Sequence, residues 1–357
     1  MTDTNPPQTS RTRGRGKPAT ERAAKGEVLL EVEDLHVEFR TKAGVAQAVN
    51  GVNYTLRAGE TLAVLGESGS GKSVTAQAVM GILDSPPGKI TAGQVRFRGK
   101  DLLAMKESER RLYRGEKLSM IFQDSLSALN PVFPVGAQIA EMFRVHRKMG
   151  KKEATERAIE LMDRVRIPAA RERVNNYPHE FSGGMRQRIM IAMSIALDPE
   201  VLIADEPTTA LDVTVQAQVM ELLGELQQEM NMGLILITHD LGVVADVADQ
   251  IAVMYAGRIV EQAPARDLYR NPAHPYTERL LASIPRVDQK GQKLTVIEGL
   301  PPMLTNIPPG CAFNPRCPYA QDVCRTDRPP LEQFAPDRAS ACHFWKETLD
   351  GSQRVAS

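Results

Sequence analysis

The chain has 357 residues, 42% of them hydrophobic and 25% charged, with 44 basic against 44 acidic residues and a formal net charge of zero. That length is more than one hydrophobic core usually serves, so two domains are expected; the charge balance speaks against a general nucleic-acid binder, which is usually basic. No apolar run of about 18 residues is present to span a membrane, and the first residues lack an apolar signal core, so the expectation is a cytoplasmic chain that reaches a membrane only through partners.

Residues 1–26 are rich in Thr, Pro, Arg and Gly, and Arg11, Arg13, Arg15, Lys17, Arg22 and Lys25 outnumber Asp3 and Glu21. This reads as a disordered basic tail. From Leu29 the pattern changes. Leu29-Leu30-Glu31-Val32-Glu33 and His36-Val37-Glu38-Phe39-Arg40 alternate like strands, and Val49-Asn50-Gly51-Val52-Asn53-Tyr54-Thr55-Leu56 extends the antiparallel pattern. Leu62-Ala63-Val64-Leu65 is an apolar run suited to a buried strand.

Gly66-Glu67-Ser68-Gly69-Ser70-Gly71-Lys72-Ser73 follows it and fits the phosphate-binding pattern G-x-x-x-x-G-K-[ST], with a helix-compatible run behind it. The glycines allow the backbone to turn and aim its N–H groups into one concavity. The helix that starts there adds the positive end of its dipole. Lys72 is placed to reach the β- and γ-phosphates of a nucleotide, and the Ser73 hydroxyl to hold Mg²⁺. The alternative, a Gly/Ser-rich turn without a ligand, does not need the whole pattern in a strand–loop–helix context.

Residues 101–180 read as mostly helical, broken at Asn130-Pro131 and Phe133-Pro134. Phe181-Ser182-Gly183-Gly184-Met185 leads into a helix expected over residues 185–197, whose start is an anion site; a glycine-rich helix cap is the alternative. Residues 200–260 read strand, helix, strand, helix, strand. Val201-Leu202-Ile203-Ala204 and Leu234-Ile235-Leu236-Ile237 suit a parallel sheet buried on both faces. The first of these ends in Asp205 and Glu206. A strand-end Asp holds Mg²⁺ directly or through water, and a neighbouring Glu polarises an attacking water. After about Pro264 the text becomes Pro-rich and Cys-containing, as in a separate loop-rich module.

Together these stretches resemble the ATP-binding-cassette ATPases. Phe181-Ser182-Gly183-Gly184-Met185 is similar to their signature, usually Leu-Ser-Gly-Gly-Gln, with Phe for Leu and Met for Gln. The resemblance covers roughly residues 29–260. It implies an α/β P-loop NTPase fold with an antiparallel β subdomain and a helical insert at about 124–180. It makes Gln123 the Q-loop glutamine, which senses Mg²⁺ and the γ-phosphate, Asp212 in Ala210-Leu211-Asp212 a D-loop residue at a dimer interface, and His239 the switch histidine beside the catalytic Glu206. Ser182, Gly183, Gly184 and Met185 would cap ATP held by the partner ATPase. Mg²⁺ would be held by Ser73, Gln123 and Asp205. Phe39 is either the aromatic that stacks on adenine or simple strand packing.

Finer stretches resemble the oligopeptide/dipeptide permease ATPases: residues 66–75, Phe122-Gln123-Asp124-Ser125-Leu126-Ser127-Ala128-Leu129-Asn130-Pro131, and Asn271-Pro272-Ala273-His274-Pro275-Tyr276-Thr277. The implied organisation is a basic tail at 1–26, the nucleotide-binding domain at 27–265, and a C-terminal extension at 266–357. The implied partners are two transmembrane permease subunits, a second, related ATPase chain and an extracytoplasmic solute-binding protein, with no nucleic acid. The implied place is the cytoplasmic face of the cell membrane. Nickel, opines or antimicrobial peptides are alternative cargoes of the same machinery. A soluble cassette ATPase of DNA repair or translation is the rival from another class; such proteins tend to carry two cassettes, a coiled coil or zinc inserts.

The extension holds all four cysteines, Cys311, Cys317, Cys324 and Cys342, separated by five, six and seventeen residues. No C-x₂-C pair is present, so an ordinary zinc ribbon fits poorly, and a reducing cytoplasm disfavours disulfides. Four thiolates in a short loop-rich segment suit a [4Fe–4S] cluster, which the family resemblance supports; zinc and four free thiols are the alternatives. Such a cluster would staple a segment with little core of its own. The ATPase sheet is expected not to depend on it.

Overall fold

A computed structural model describes residues 23–123, 128–209, 211–283 and 297–350. Most of the expected basic tail, residues 1–22, and Asp124 to Ser127 and Ala210 among the quoted motif residues lie outside these. No helix among the described residues is long and apolar enough to cross a membrane.

Two sheets organise the chain. The first is antiparallel, in the order β2-β1-β4-β5, from β1 (Val28–Thr41), β2 (Gly44–Arg57), β4 (Gly88–Phe97) and β5 (Lys100–Asp101). The second has eight strands in the order β11-β12-β10-β9-β3-β8-β7-β6. Its centre is parallel: β3 (Thr61–Leu65) pairs with β8 (Gly233–Ile237) and β9 (Gln250–Tyr255), and β7 (Val201–Asp205) lies between β8 and β6 (Leu118–Ile121).

The side-chain alternation of a strand explains the layers. Leu62 and Val64 of β3 face one core with Val201, Ile203, Ile235 and Ile237; that core also takes Leu30, Val37, Val52 and Leu56 of the antiparallel sheet. Ala63 and Leu65 face the other, with Leu202, Ala204, Leu234 and Leu236, against the helices. Both faces are covered, so β3, β7 and β8 are buried throughout and mostly apolar rather than alternating. The helices on the second side include Val135–His146, Lys151–Arg164, Gly183–Ile195 and Val213–Met230. Lys151–Arg164 buries Ala154, Ala158, Ile159, Leu161 and Met162 on one stripe.

Three sequence expectations need correction. The stretch 101–180 is not simply helical: Leu118–Ile121 is the edge strand β6, and a four-residue apolar run is too short for its period to be read. The signature helix runs from Gly183 to Ile195, because Ser182 already caps it. The extension is not separate. β10 (Arg258–Pro264) pairs antiparallel with β9 and with β12 (Arg338–Ser340), and β12 carries β11 (Glu332–Ala335), so the extension lengthens the ATPase sheet. Tyr276 and Phe313 join the main core.

Candidate functional site

The carboxyl ends of β3, β6, β7 and β8 lie side by side in the sheet, where open parallel sheets collect ligands. Each end carries a residue singled out above. β3 runs into residues 66–73, β6 leads to Gln123, β7 ends in Asp205 and Glu206, and β8 leads to His239.

The loop after β3 is built from backbone that only glycine tolerates. Gly69 and Gly71 have φ of 77° and 103°, and a Cβ on Gly71 would lie 2.2 Å from the Ala48 carbonyl oxygen. Gly71 caps the helix Lys72–Met80, so the first N–H groups of that helix face the loop. The Gly257 N–H holds the Ser70 carbonyl at 2.9 Å, tying the loop to the β9–β10 turn. Among the described residues the buried Ser70 hydroxyl has no hydrogen-bond partner.

Lys72 is buried and its Nζ donates to the carbonyls of Gly66 (2.7 Å) and Glu67 (3.0 Å). Burial lowers its pKa; the negative charges of Glu206, Asp205 and Glu67 oppose that. The Ser73 hydroxyl donates to Asp205 Oδ1 at 3.0 Å, joining the helix start to the end of β7. Burial pushes the Asp205 carboxyl upward. A divalent cation beside this pair would favour the ionised carboxylate instead, so Ser73 and Asp205 are the residues that could hold Mg²⁺.

Glu206 gathers the rest. Its Oε2 accepts hydrogen bonds from Gln123 Nε2 at 2.8 Å and from the Thr209 hydroxyl at 3.0 Å, and Oε1 lies 3.3 Å from His239 Nδ1. Its backbone sits at φ 46°, the left-handed region that a residue with a Cβ avoids, at a cost of roughly 1–3 kcal/mol. The Glu206 N–H donates to the Ile237 carbonyl, which holds that turn against β8. His239 is 63% exposed while Glu206 is only 15% exposed, so the carboxylate is sheltered and the imidazole can move.

Ser182 and Asp212 do local work. The Ser182 hydroxyl accepts the Met185 N–H, and the Asp212 carboxylate accepts the Val215 N–H; each caps its helix. Gly184 lets the two helices approach, since a Cβ there would lie 2.5 Å from Val215 Cγ1. Both caps are exposed. Phe39 lies on β1, half-buried, with its ring where a Cβ on Gly88 would meet it at 3.0 Å.

The four cysteines are free thiols that line one pocket, walled by His274, Phe313 and Phe344 among others. Burial pushes the thiols of Cys317 and Cys342 up to about 12 and raises that of Cys311. Among the described residues, however, no three His, Cys, Asp or Glu side chains stand arranged to hold a metal ion. An iron–sulfur cluster is therefore not shown by the geometry; what is shown is four free cysteines brought to one place.

Some residues at the site carry no pattern in the sequence. Thr209 lies three residues past Glu206, inside a Pro-Thr-Thr turn that invites no role. Tyr276 and Arg316 reach the phosphate loop from the extension, 209 and 249 residues away from Glu67. Tyr276 stands in a stretch that marks the family, and only that hinted at it.

Comparison with known proteins agrees with the architecture. The profile of the ABC transporter family matches residues 49–209, and that of the oligopeptide/dipeptide transporter C-terminal region matches residues 260–324. The chain is 52% identical over 324 residues to the oligopeptide transport ATP-binding protein OppD of Salmonella typhimurium, covering 91% of this chain and 96% of that protein. It is 52% identical over 298 residues to the dipeptide transport ATP-binding protein DppD of Bacillus subtilis, covering 84% and 89%. Among solved structures, cbiO1 of Clostridium perfringens, part of the cbiONQ ABC transporter complex, superposes with a TM-score of 0.58 at 29% identity over 68% of this chain and 91% of that one. A dimeric ATP-binding cassette in a post-hydrolysis state bound to ADP and Pi gives 0.60 at 24% identity, over 67% of this chain and 99% of that one, which speaks to the fold. With the P-loop fold, the strand-end carboxylates and relatives matched over nearly their whole length, the chain belongs to the ABC transporter family, among the ATP-binding proteins of oligopeptide and dipeptide transporters.

Proposed function

We propose that this chain hydrolyses ATP to drive import of di- and oligopeptides through permease subunits, working from the cytoplasmic face of the membrane. The observation that carries the reading is the convergence of Gln123, Thr209 and His239 on the sheltered Glu206 carboxylate, next to the Lys72–Ser73–Asp205 group.

The chemistry follows from that arrangement. Lys72 exchanges its two carbonyl partners for phosphate oxygens of ATP, so binding costs it little rearrangement. Ser73 and Asp205, with Gln123 as the third candidate ligand, would hold Mg²⁺, which would supply charge neutralisation on the phosphates. Glu206 orients the attacking water and takes its proton. For that it must release Gln123, which now occupies Oε2. His239 lies against the other oxygen and helps keep the carboxylate aimed.

The division into a nucleotide-binding domain at 27–265 and an extension at 266–357 is part of this proposal, as is the pairing of two ATPase chains head to tail. Ser182, Gly183, Gly184 and Met185 would then meet the partner's ATP, and Asp212 the partner chain. The exposure of Ser182 and Asp212 and the helix start at Gly183 support this. Phe39, half-buried against the core, stays either the aromatic that stacks on adenine or simple strand packing. Phe122, Val132 and Phe133 are exposed apolar side chains on either side of Gln123 in the chain, which suits contact with a permease. The four-thiol pocket is proposed to hold a [4Fe–4S] cluster. Four soft donors and apolar walls suit iron or zinc, and either metal would displace the protons that burial favours on the Cys317 and Cys342 thiols.

The test is reconstitution. The chain is co-purified with its permeases and partner ATPase, and phosphate release is measured with the solute-binding protein empty or loaded with peptides. Stimulation by peptide-loaded binding protein is expected; stimulation by nickel-loaded binding protein alone would move the cargo assignment.

A further inference from the structure

The phosphate loop is held from outside the ATPase core, and at one residue. Arg316 comes from the short turn Asn314–Arg316 in the extension. Its guanidinium grips the Glu67 carboxylate with both arms, Nη1 to Oε2 at 2.6 Å and Nη2 to Oε1 at 2.9 Å. The same group donates through Nε to the Glu298 carbonyl at 3.0 Å and through Nη1 to the Tyr255 hydroxyl at 3.2 Å. It lies over the Tyr255 and Phe313 rings at 5.8 and 6.0 Å. The Arg316 side chain is 5% exposed and that of Glu67 25%. A second residue of the extension holds the backbone at the same point: the Tyr276 hydroxyl accepts the Glu67 N–H at 2.9 Å. The Glu67 carbonyl in turn accepts from Lys72.

Glu67 poses a problem that this grip solves. It is the second residue of a loop built to receive a polyanion, and it carries a negative charge. A carboxylate left free there would repel the phosphates through a medium of low dielectric. A fork–fork pair neutralises it and fixes its direction at once, which a lysine ammonium would not do. We propose that Arg316 is a positioning residue for ATP binding: it acts through Glu67, neutralising and orienting that side chain so that the loop accepts triphosphate. The extension is on this account a working part of the nucleotide site. The inference rests on reading residues 66–73 as the phosphate loop.

The test uses the full chain and measures the affinity for Mg-ATP by equilibrium binding, alongside thermal unfolding. R316M strands the Glu67 charge and is expected to weaken ATP binding ~10- to 100-fold, as one uncompensated charge near a triphosphate predicts. E67Q/R316M removes both charges and is expected to bind within about threefold of the wild type, because the repulsion is gone. That rescue is what a merely structural staple would not give. If R316M binds ATP as the wild type does, or if the double variant is as weak as R316M, the proposal is overturned. Should R316M not fold, the double variant decides alone: folded and binding ATP it supports the proposal, folded and unable to bind it overturns it. K72A serves as the control for the loop itself. If K72A binds ATP like the wild type, it is the phosphate-loop reading that fails, whatever the Arg316 variants do.

Discussion

Glu206→Gln separates catalysis from binding and folding most cleanly. The amide keeps the shape of the side chain, and its carbonyl oxygen in the place of Oε2 still accepts from both Gln123 and Thr209, while its NH₂ replaces the oxygen that faces His239. One weakened hydrogen bond at a partly open site costs roughly 0.5–3 kcal/mol of stability. The φ of 46° is unchanged, so the backbone strain is the same before and after. ATP binding draws on Lys72 and the loop N–H groups, none of which the substitution touches, and the lost negative charge should help rather than hurt. The proton acceptor is what disappears. Loss of a placed general base typically costs ~10²–10⁴ in rate, or about 3–5 kcal/mol of barrier. The assay is phosphate release by the assembled transporter, with ATP affinity of the isolated chain measured beside it. Turnover within a few-fold of the wild type would refute the assignment of Glu206 as the base, since the neighbouring Asp205 carboxylate is engaged by Ser73.

The other expectations are shorter. Ser182→Arg should leave ATP affinity of the isolated chain unchanged, weaken its helix cap by ~0.5–2 kcal/mol, and abolish ATP-driven dimerisation; the reverse pattern would mean that the two chains do not meet head to tail. Protein purified without oxygen should be brown with about four irons per chain, and Cys317→Ser should bleach it and expose residues 300–345 to protease; one zinc and no iron would make the pocket a zinc site. The buried Glu261 carboxyl, raised to about 7 from 4.5 by burial, should give stability a slope with pH. The folded chain keeps this proton where the unfolded chain has lost it, so the contribution is full below about 4.5, falls as pH rises through about 7, and is flat above, for a total of about 3 kcal/mol. Glu261→Gln should remove the slope in chemical unfolding curves taken from pH 4.5 to 8; an unchanged slope would show that another group titrates.

The part of this molecule that could be read from the chain is the part whose constraints are local. Residues 62–65 announce a strand because a sheet covered on both faces needs unbroken apolar side chains, and residues 66–73 announce a phosphate loop because its turns need glycine at fixed spacing. Glu206 and His239 were legible for a related reason: each directly follows or lies just beyond an apolar run, and parallel strands put such positions on one edge. β6 was not legible, since Leu118–Ile121 is too short to show a period and gains its identity only by pairing with β7. The extension failed to read as part of the sheet on the same grounds. Its link consists of Glu261 opposite Ser340 and Gln262 opposite Ala339, two pairs that leave no alternation to detect.

What makes that short link hold is again non-local. The fully buried Glu261 carboxylate accepts the N–H groups of Ala273 and His274 at 2.7 and 3.0 Å, and the Ser340 hydroxyl donates to the Ala273 carbonyl at 2.8 Å. Three segments, two of them 12 residues apart and the third 67 residues further on, thus satisfy each other's buried polar groups, and none of them could stay buried alone. The consequence runs to function. Helix Pro275–Ala282 begins at this polar knot and carries Tyr276 to the Glu67 N–H, and Phe313 packs on Tyr276 at 5.3 Å, three residues before Arg316. The short sheet extension, the aromatic contacts and the Arg316–Glu67 grip form one continuous path from β10 to the phosphate loop. Loosening the extension therefore reaches the ATP site even though residues 66–73 lie far from it in the chain.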